Sequence, residues 1–270
     1  MKLKPDLFEC AFVPDWYRHL EELEAMALPE PWQFRKPTTE TKNTDTPLLE
    51  RYIHIIFRKQ CIEYNAERDH RKAEKYFHVE NECACFHTGL YTRRYKAIYA
   101  FFNRNHRKES TLDWVFSGFC DELSPKLKYI EPLPLKPAYV MEKRGVTFNP
   151  EWPIRVNVEH ILGDAENLER IPVKIRKAKN LPLLLETAVE LARRRAVIEP
   201  GSVVPQGYQG KVQYLLPICL TNMKKPDLAM TLSVMDGYYL GNTCLTLEMA
   251  YMNARVIARP IAPWLTELVK

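Results

Sequence analysis

The chain has 270 residues, enough for one large domain or two small ones, and its 46% hydrophobic and 27% charged content excludes a disordered protein. A net charge of +5, from 39 basic and 34 acidic residues, suits a phosphate-rich partner without requiring one. Seven cysteines, an odd number set mostly in apolar runs, argue against a disulfide scaffold and for buried, reduced thiols. No run approaches the eighteen or so apolar residues of a membrane span, and Met1-Lys-Leu-Lys-Pro-Asp-Leu-Phe lacks the apolar core of a secretory signal. The expectation is a cytoplasmic protein with no membrane partner.

Asp15 is positioned to cap a first helix from Trp16 to about Ala27, where Trp16, Leu20, Leu23 and Ala27 recur at helical spacing. Pro29 and Pro31 stop it, and residues 35–46 are polar, without period, and read as a loop. A second helix starts at Pro47 and runs to about Asn65 along an apolar face from Leu48 to Phe57. A charged segment, Glu67 to Lys75, follows. The period then changes. Tyr76 to Leu90 and Ala97 to Asn103 are aromatic and strand-like, with Tyr91 to Lys96 as a hairpin connection, and Leu112 to Phe119 adds another strand. Prolines 125, 132, 134 and 137 mark an extended stretch.

In the second half a helix is expected near Glu159 to Glu169, and a longer one from Leu181 to Ala196 ends in Arg193-Arg194-Arg195, where positive charge suits the helix C-terminus. Val212 to Leu220, Asp227 to Val234 and Tyr238 to Thr243 read as strands, and Leu245 to Ile257 as the last helix. There is no βαβ alternation, internal repeat or glycine-rich phosphate loop. The fold class expected is therefore α+β: a mostly antiparallel or mixed sheet with N-terminal helices and a C-terminal helix packed on it. Residues 1–75 would form an N-terminal helical segment packed on one continuous body, 76–270.

Three constellations carry the functional reading. In the hairpin region Arg93, Arg94, Lys96, Arg104, His106, Arg107 and Lys108 interleave with Tyr91, Tyr95, Tyr99, Phe101 and Phe102. Single-stranded nucleic acid is held by such a basic track with aromatic faces for the bases; a half-buried sheet with charged loops produces the same alternation. From this set Arg93, Arg94, Tyr95, Lys96, Arg104 and Arg107 are the candidate nucleic-acid contacts. The segment His160 to Pro172 offers His160 as an acid or base and Arg170 as a phosphate fork, with Asp227 as a further catalytic candidate; a histidine satisfied by a neighbouring carboxylate and an arginine in a salt bridge is the competing and more economical reading of the segment. The stretch from Asp236 to Arg255 brings Tyr239, Thr243, Tyr251, Asn253 and Arg255 towards one edge, and Gln213 joins them as a polar group on an apolar strand. These six are the candidate ligand-binding residues, or else a network that fixes helix against sheet. Cys83-Ala-Cys85 lacks both the spacing and the second pair of a zinc knuckle, and neither metal nor cofactor is expected. No serine-hydrolase elbow and no His-Glu-x-x-His occurs.

The strings Phe86-His-Thr-Gly-Leu90, Gln213-Tyr-Leu-Leu-Pro217, Pro226-Asp-Leu-Ala229, Thr243 to Arg255 and Pro263-Trp264-Leu265 resemble an uncharacterised family, the domain of unknown function thirty-eight twenty-five. The resemblance runs from the Trp32 region to Trp264. Members of that family are often joined to cold-shock or OST-HTH/LOTUS modules, so the resemblance implies an RNA-related role by association and transfers no catalytic residue.

The expectation is an RNA- or nucleotide-associated protein whose partner is a single strand or a nucleotide. Its binding surfaces would be the basic-aromatic hairpin region and the C-terminal polar pocket. An enzyme processing a nucleotide or RNA end through a His/Arg/Asp pocket, and a scaffold without a ligand, are the alternatives. The sequence leaves the oligomeric state open.

Overall fold

A computed structural model describes residues 2–35, 46–107, 110–137, 148–208 and 211–270. The expected 35–46 loop lies almost wholly outside the described residues, as does Lys108. The chain forms two compact units, Met1–Gln33 with Pro37–Ala138, and Phe34–Lys36 with Tyr139–Lys270. The N-terminal helices thus share a unit with the first group of strands, whereas the sequence placed a boundary near residue 75. Helices and two five-stranded sheets give the α+β class. Among the described residues no helix is long and apolar enough to cross a membrane.

The first unit comprises α1 (Leu7–Cys10), β1 (Ala11–Phe12), α2 (Trp16–Met26), α3 (Pro47–Ala66), α4 (His70–Ala73), β2 (His78–Val79), β3 (Cys83–Tyr91), β4 (Ala97–Arg104) and β5 (Trp114–Asp121). Its sheet has the order β1-β5-β4-β3-β2, with β1 parallel to β5 and the other pairs antiparallel. Helix α3 begins on a proline and buries Leu49, Tyr52, Ile53, Ile56 and Phe57 at spacings of three and four. Phe57 meets Phe86 and Phe77 edge-on, and Phe86 stacks on Phe102. Each such ring, fully buried, contributes about 2–3 kcal/mol. The opposite face holds Cys85, Tyr99, Phe101 and Cys120, covered by Leu127 and Ile130. Both faces of β3 and β4 are therefore buried, which explains why their apolar run is nearly continuous.

Asp15 occupies the position before α2, but its backbone is left-handed (φ 50°) and its side chain caps nothing. The start of α2 is instead held by packing, with Trp16 buried and its indole N–H donating to Glu50 of α3 at 3.0 Å.

The second unit comprises β6 (Ile154–Val156), α5 (Val158–Gly163), α6 (Ala165–Arg170), α7 (Val173–Arg176), α8 (Leu181–Ile198), β7 (Val204–Tyr208), β8 (Lys211–Ile218), β9 (Leu228–Val234), β10 (Tyr239–Leu245), α9 (Leu247–Ile257) and α10 (Pro263–Thr266). The sheet order is β6-β10-β9-β8-β7, with β6 parallel to β10. Helix α8 lays Leu185, Ala188, Val189, Ala192 and Ala196 on Tyr214, Leu216, Met230, Leu232 and Tyr239. Helix α9, capped by the Thr246 hydroxyl, buries Ala250, Tyr251, Met252, Ala254, Arg255 and Val256.

The helix expected over 159–169 is two helices. Asp164 breaks it by accepting the Asn167 N–H at 2.7 Å and so starting α6 as a new cap. Strand β7 has no strand-like composition. Val204-Pro-Gln-Gly-Tyr sits on a sheet edge, where proline costs no ladder bond.

Candidate nucleic-acid interface

The hairpin joining β3 to β4 is closed by backbone bonds from the Thr92 N–H to the Lys96 carbonyl and from the Tyr95 N–H to the Thr92 carbonyl, both 2.8 Å. The Thr92 hydroxyl accepts from the Arg94 and Lys96 N–H groups at 3.3 and 3.2 Å, so one side chain ties down the loop. This five-residue closure forces Tyr95 into the left-handed region, φ 60°, where glycine or asparagine is the usual occupant. The cost is on the order of 1 kcal/mol. Nothing in the core offsets it, because the Tyr95 side chain is 76% exposed.

The tip leans on the end of α2. Leu28 N–H donates to the Tyr91 carbonyl at 2.8 Å, and Ala27 bridges Thr92. Between them lies a surface depression of about 390 Å3 lined by Met26, Thr92, Arg93, Arg94, Lys96, Asp121 and Leu123. Three cations and one carboxylate thus face the same hollow. Lys96 is partly engaged: its ammonium bonds Glu122 at 3.1 Å, which holds that carboxyl below its usual range with help from the Ala97 amide. Arg93 and Arg94 are exposed and form no ion pair among the described residues.

Arg104 and Arg107 do not join this group. Arg104 sits at the far end of β4, about 24 Å along the strand from Ala97. It pairs with Asp113 at 3.2 Å and lies over the Trp114 ring. Arg107 lies over Phe12. The sequence-predicted basic track is therefore two patches on opposite ends of one sheet. Its aromatics also divide: Tyr99, Phe101 and Phe102 are buried, whereas Tyr95 is open.

The six C-terminal candidates are likewise separated. Tyr239 is fully buried on the α8 side, stacked on Phe148 at 4.8 Å, and its hydroxyl accepts the Asn149 N–H at 2.7 Å. Thr243 faces the other way, because the β9–β10 register shifts between Gly241 and Thr243. The shift places Cys244, not Thr243, beside Tyr239 in the α8-side core. Gln206 of β7, buried to 1% exposure, donates to Gln213 at 2.9 Å and accepts from Asn253 at 3.0 Å. Gln213 in turn donates to Ser233 at 2.9 Å. The Gln213 and Asn253 carboxamides are thus joined through Gln206, a residue that sequence reasoning missed. On α9, Tyr251 and Arg255 are one turn apart and buried, Tyr251 beside Phe34, while Asn253 projects from a different side of the helix.

His160, Arg170 and Asp227 do not share a hydrogen bond among the described residues. His160 is exposed on α5, where its N–H satisfies the Asn157 cap. Arg170 binds Asn167, Glu166 and the Cys244 carbonyl at 3.0–3.1 Å and so fastens α6 to β10. Asp227 accepts from the Leu220 and Thr221 N–H groups and the Thr221 hydroxyl at 2.6–2.8 Å, closing the β8–β9 connection.

A family model described as Domain of unknown function (DUF3825) matches residues 23–264. The chain belongs to that family. No curated protein and no solved structure matches it. The DUF3825 match spans the β3–β4 hairpin and the polar row through Gln206 alike, so membership does not choose between them.

Proposed function

We propose that the protein holds a single-stranded RNA or nucleotide at the β3–β4 hairpin tip, phosphates against Arg93, Arg94 and Lys96 and a base against Tyr95. The observation that carries this reading is the convergence of three cations on one hollow, two of them exposed arginines without an acidic partner among the described residues. Isolated surface arginines are common. Two together beside a tyrosine held out of the core in a strained backbone are not required by packing. Arginine forks phosphate oxygens bidentately, and an exposed ring supplies a stacking face of about 1–3 kcal/mol per base. The company of cold-shock and OST-HTH/LOTUS modules that the sequence resemblance implies points the same way. The Gln206 row is left out of the binding surface because its carboxamides bond one another.

The test is fluorescence anisotropy of a labelled short RNA across a salt series. Binding is expected to weaken with salt, with a slope of about 0.7 per phosphate neutralised. Arg93→Ala/Arg94→Ala is expected to weaken binding at least about tenfold, since each lost charge-assisted bond is worth roughly 1.5–3 kcal/mol, and to lower the slope by one to two contacts, with an unchanged melting temperature. Salt-insensitive binding, no binding at micromolar protein, or an unaltered double variant would overturn the proposal.

A further inference from the structure

The β2–β3 hairpin holds a different chemistry. His78 and Glu80 are two residues apart on an extended segment, so their side chains leave the same face. The Glu80 N–H donates to the Cys83 carbonyl at 2.9 Å and closes the turn, which sets Cys83 opposite Glu80. One imidazole nitrogen, one carboxylate oxygen and one thiol sulfur from His78, Glu80 and Cys83 all lie within 4.8 Å of one another. Nitrogen, sulfur and oxygen donors in one cluster match the borderline-soft preference of zinc and its neighbours, not that of magnesium or calcium.

A second observation is independent of that spacing. His78 is 4% exposed, and its Nε2 is enclosed with no hydrogen-bond partner. The Glu80 Oε1 stands at 3.7 Å from it, outside hydrogen-bond range. Enclosed polar nitrogens are almost always satisfied, so one left open towards a carboxylate and a thiol asks for an occupant. Burial holds the His78 imidazole below its usual range, hence neutral near pH 7, the form with a lone pair to give. Burial raises the Cys83 thiol, with Glu80 and Glu82 adding to the effect, so a metal would have to displace its proton. The charged groups acting on His78 are Glu80, Glu74 and His70, and Glu82 acts on Cys83. Three of these four neighbours are carboxylates, a field that favours a cation.

We infer that His78, Glu80 and Cys83 form a binding site for a zinc-class divalent cation, with three protein ligands and one coordination position left for water or a partner's side chain. The spacing His-x-Glu-x-x-Cys differs from the Cys83-Ala-Cys85 pair considered from sequence, since Cys85 is replaced by donors from the other side of the turn. The site stands apart from the β3–β4 tip, at the opposite end of β3, so it does not depend on the RNA reading.

The experiment uses the full chain stripped with a chelator. Zinc chloride is titrated by calorimetry, and cobalt chloride by absorption, where a thiolate ligand gives a sulfur-to-cobalt charge-transfer band and a four-coordinate site gives intense visible bands. One equivalent of zinc and both cobalt signatures are expected. Glu80→Gln, at an exposed side chain that folding does not need, is expected to weaken zinc at least about tenfold, comparable to loss of an orienting partner or more. Cys83→Ser is expected to abolish the charge-transfer band with the circular dichroism spectrum unchanged. Absence of zinc binding at tens of micromolar, or equal affinity in both variants with no charge-transfer band in the parent chain, would overturn the inference.

Discussion

The hairpin tip of the first unit and the carboxamide row of the second contain polar residues of equal promise in the sequence, and the structure treats them oppositely. At the row, Gln206, Gln213, Asn253 and Ser233 bond one another through three hydrogen bonds of 2.9–3.0 Å. At the tip, Arg93 and Arg94 line a hollow, and neither guanidinium has an acidic partner among the described residues. The lesson is that polarity in an apolar stretch signals a requirement for partners, and only the partner inventory separates a structural lock from a binding site.

The contrast can be broken most severely at Gln206. Gln206→Ala leaves Gln213 and Asn253 each short of a bond within a packed layer and opens a cavity, at an expected cost of about 2–4 kcal/mol. Urea denaturation should record that loss while RNA affinity of the folded protein stays within twofold. An unchanged midpoint would mean that the row is not a lock.

Acid titration gives the next largest effect. His87 lies on β3 shortly before the tip, and its Nδ1 accepts the Gly89 N–H at 2.8 Å. Burial, reinforced by Lys136, lowers it from 6.5 to about 4. The unfolded chain therefore takes the proton first. Stability is full above about pH 6.5 and falls as pH drops towards 4, by on the order of 2–3 kcal/mol. His87→Asn retains an acceptor for Gly89 and should flatten that part of the melting-temperature profile; an identical profile would remove His87 as its source.

Tyr95→Gly is the smallest change and sharpens the comparison best. Glycine relieves the left-handed strain, so the variant should gain about 1 kcal/mol in stability. It should also lose roughly 1–3 kcal/mol of RNA affinity with the stacking face. Gain without loss would leave the tyrosine without a role in binding.

Much of the fold was legible from period alone. Helices α2, α3, α8 and α9 and strands β3, β4, β8 and β9 lie where helical or extended spacing placed them. The two- and three-residue strands β1, β2 and β6 are too short to carry any period, and β7 hides behind proline and glycine. Of the candidate site, the run Arg93 to Lys96 was visible because charge clustered between two strand patterns. The separation of Arg104 from it was implicit in the strand expected from Ala97 to Asn103, whose length holds the two ends apart. Tyr239 and Thr243 were expected towards one edge, and an unbroken strand would put both on one face because their positions differ by four. The register shift at Gly241 reverses that, and such a shift depends on the neighbouring strand rather than on β10 itself. Asp227 was a catalytic candidate at the start of an expected strand, yet its three bonds are all to a turn that only the folded chain brings near.

Both sheets finish on a parallel edge supplied from far upstream, β1 against β5 and β6 against β10. On a ribosome, Ala11 and Ile154 emerge long before Trp114 and Tyr239, the residues they must meet. Each unit therefore completes its sheet only after most of its length has been synthesised, and until then β1 or β6 has no partner strand. Co-translational folding should thus proceed in two late steps, and the interval before each is when the nascent chain is most open to chaperones and to mispairing with other chains.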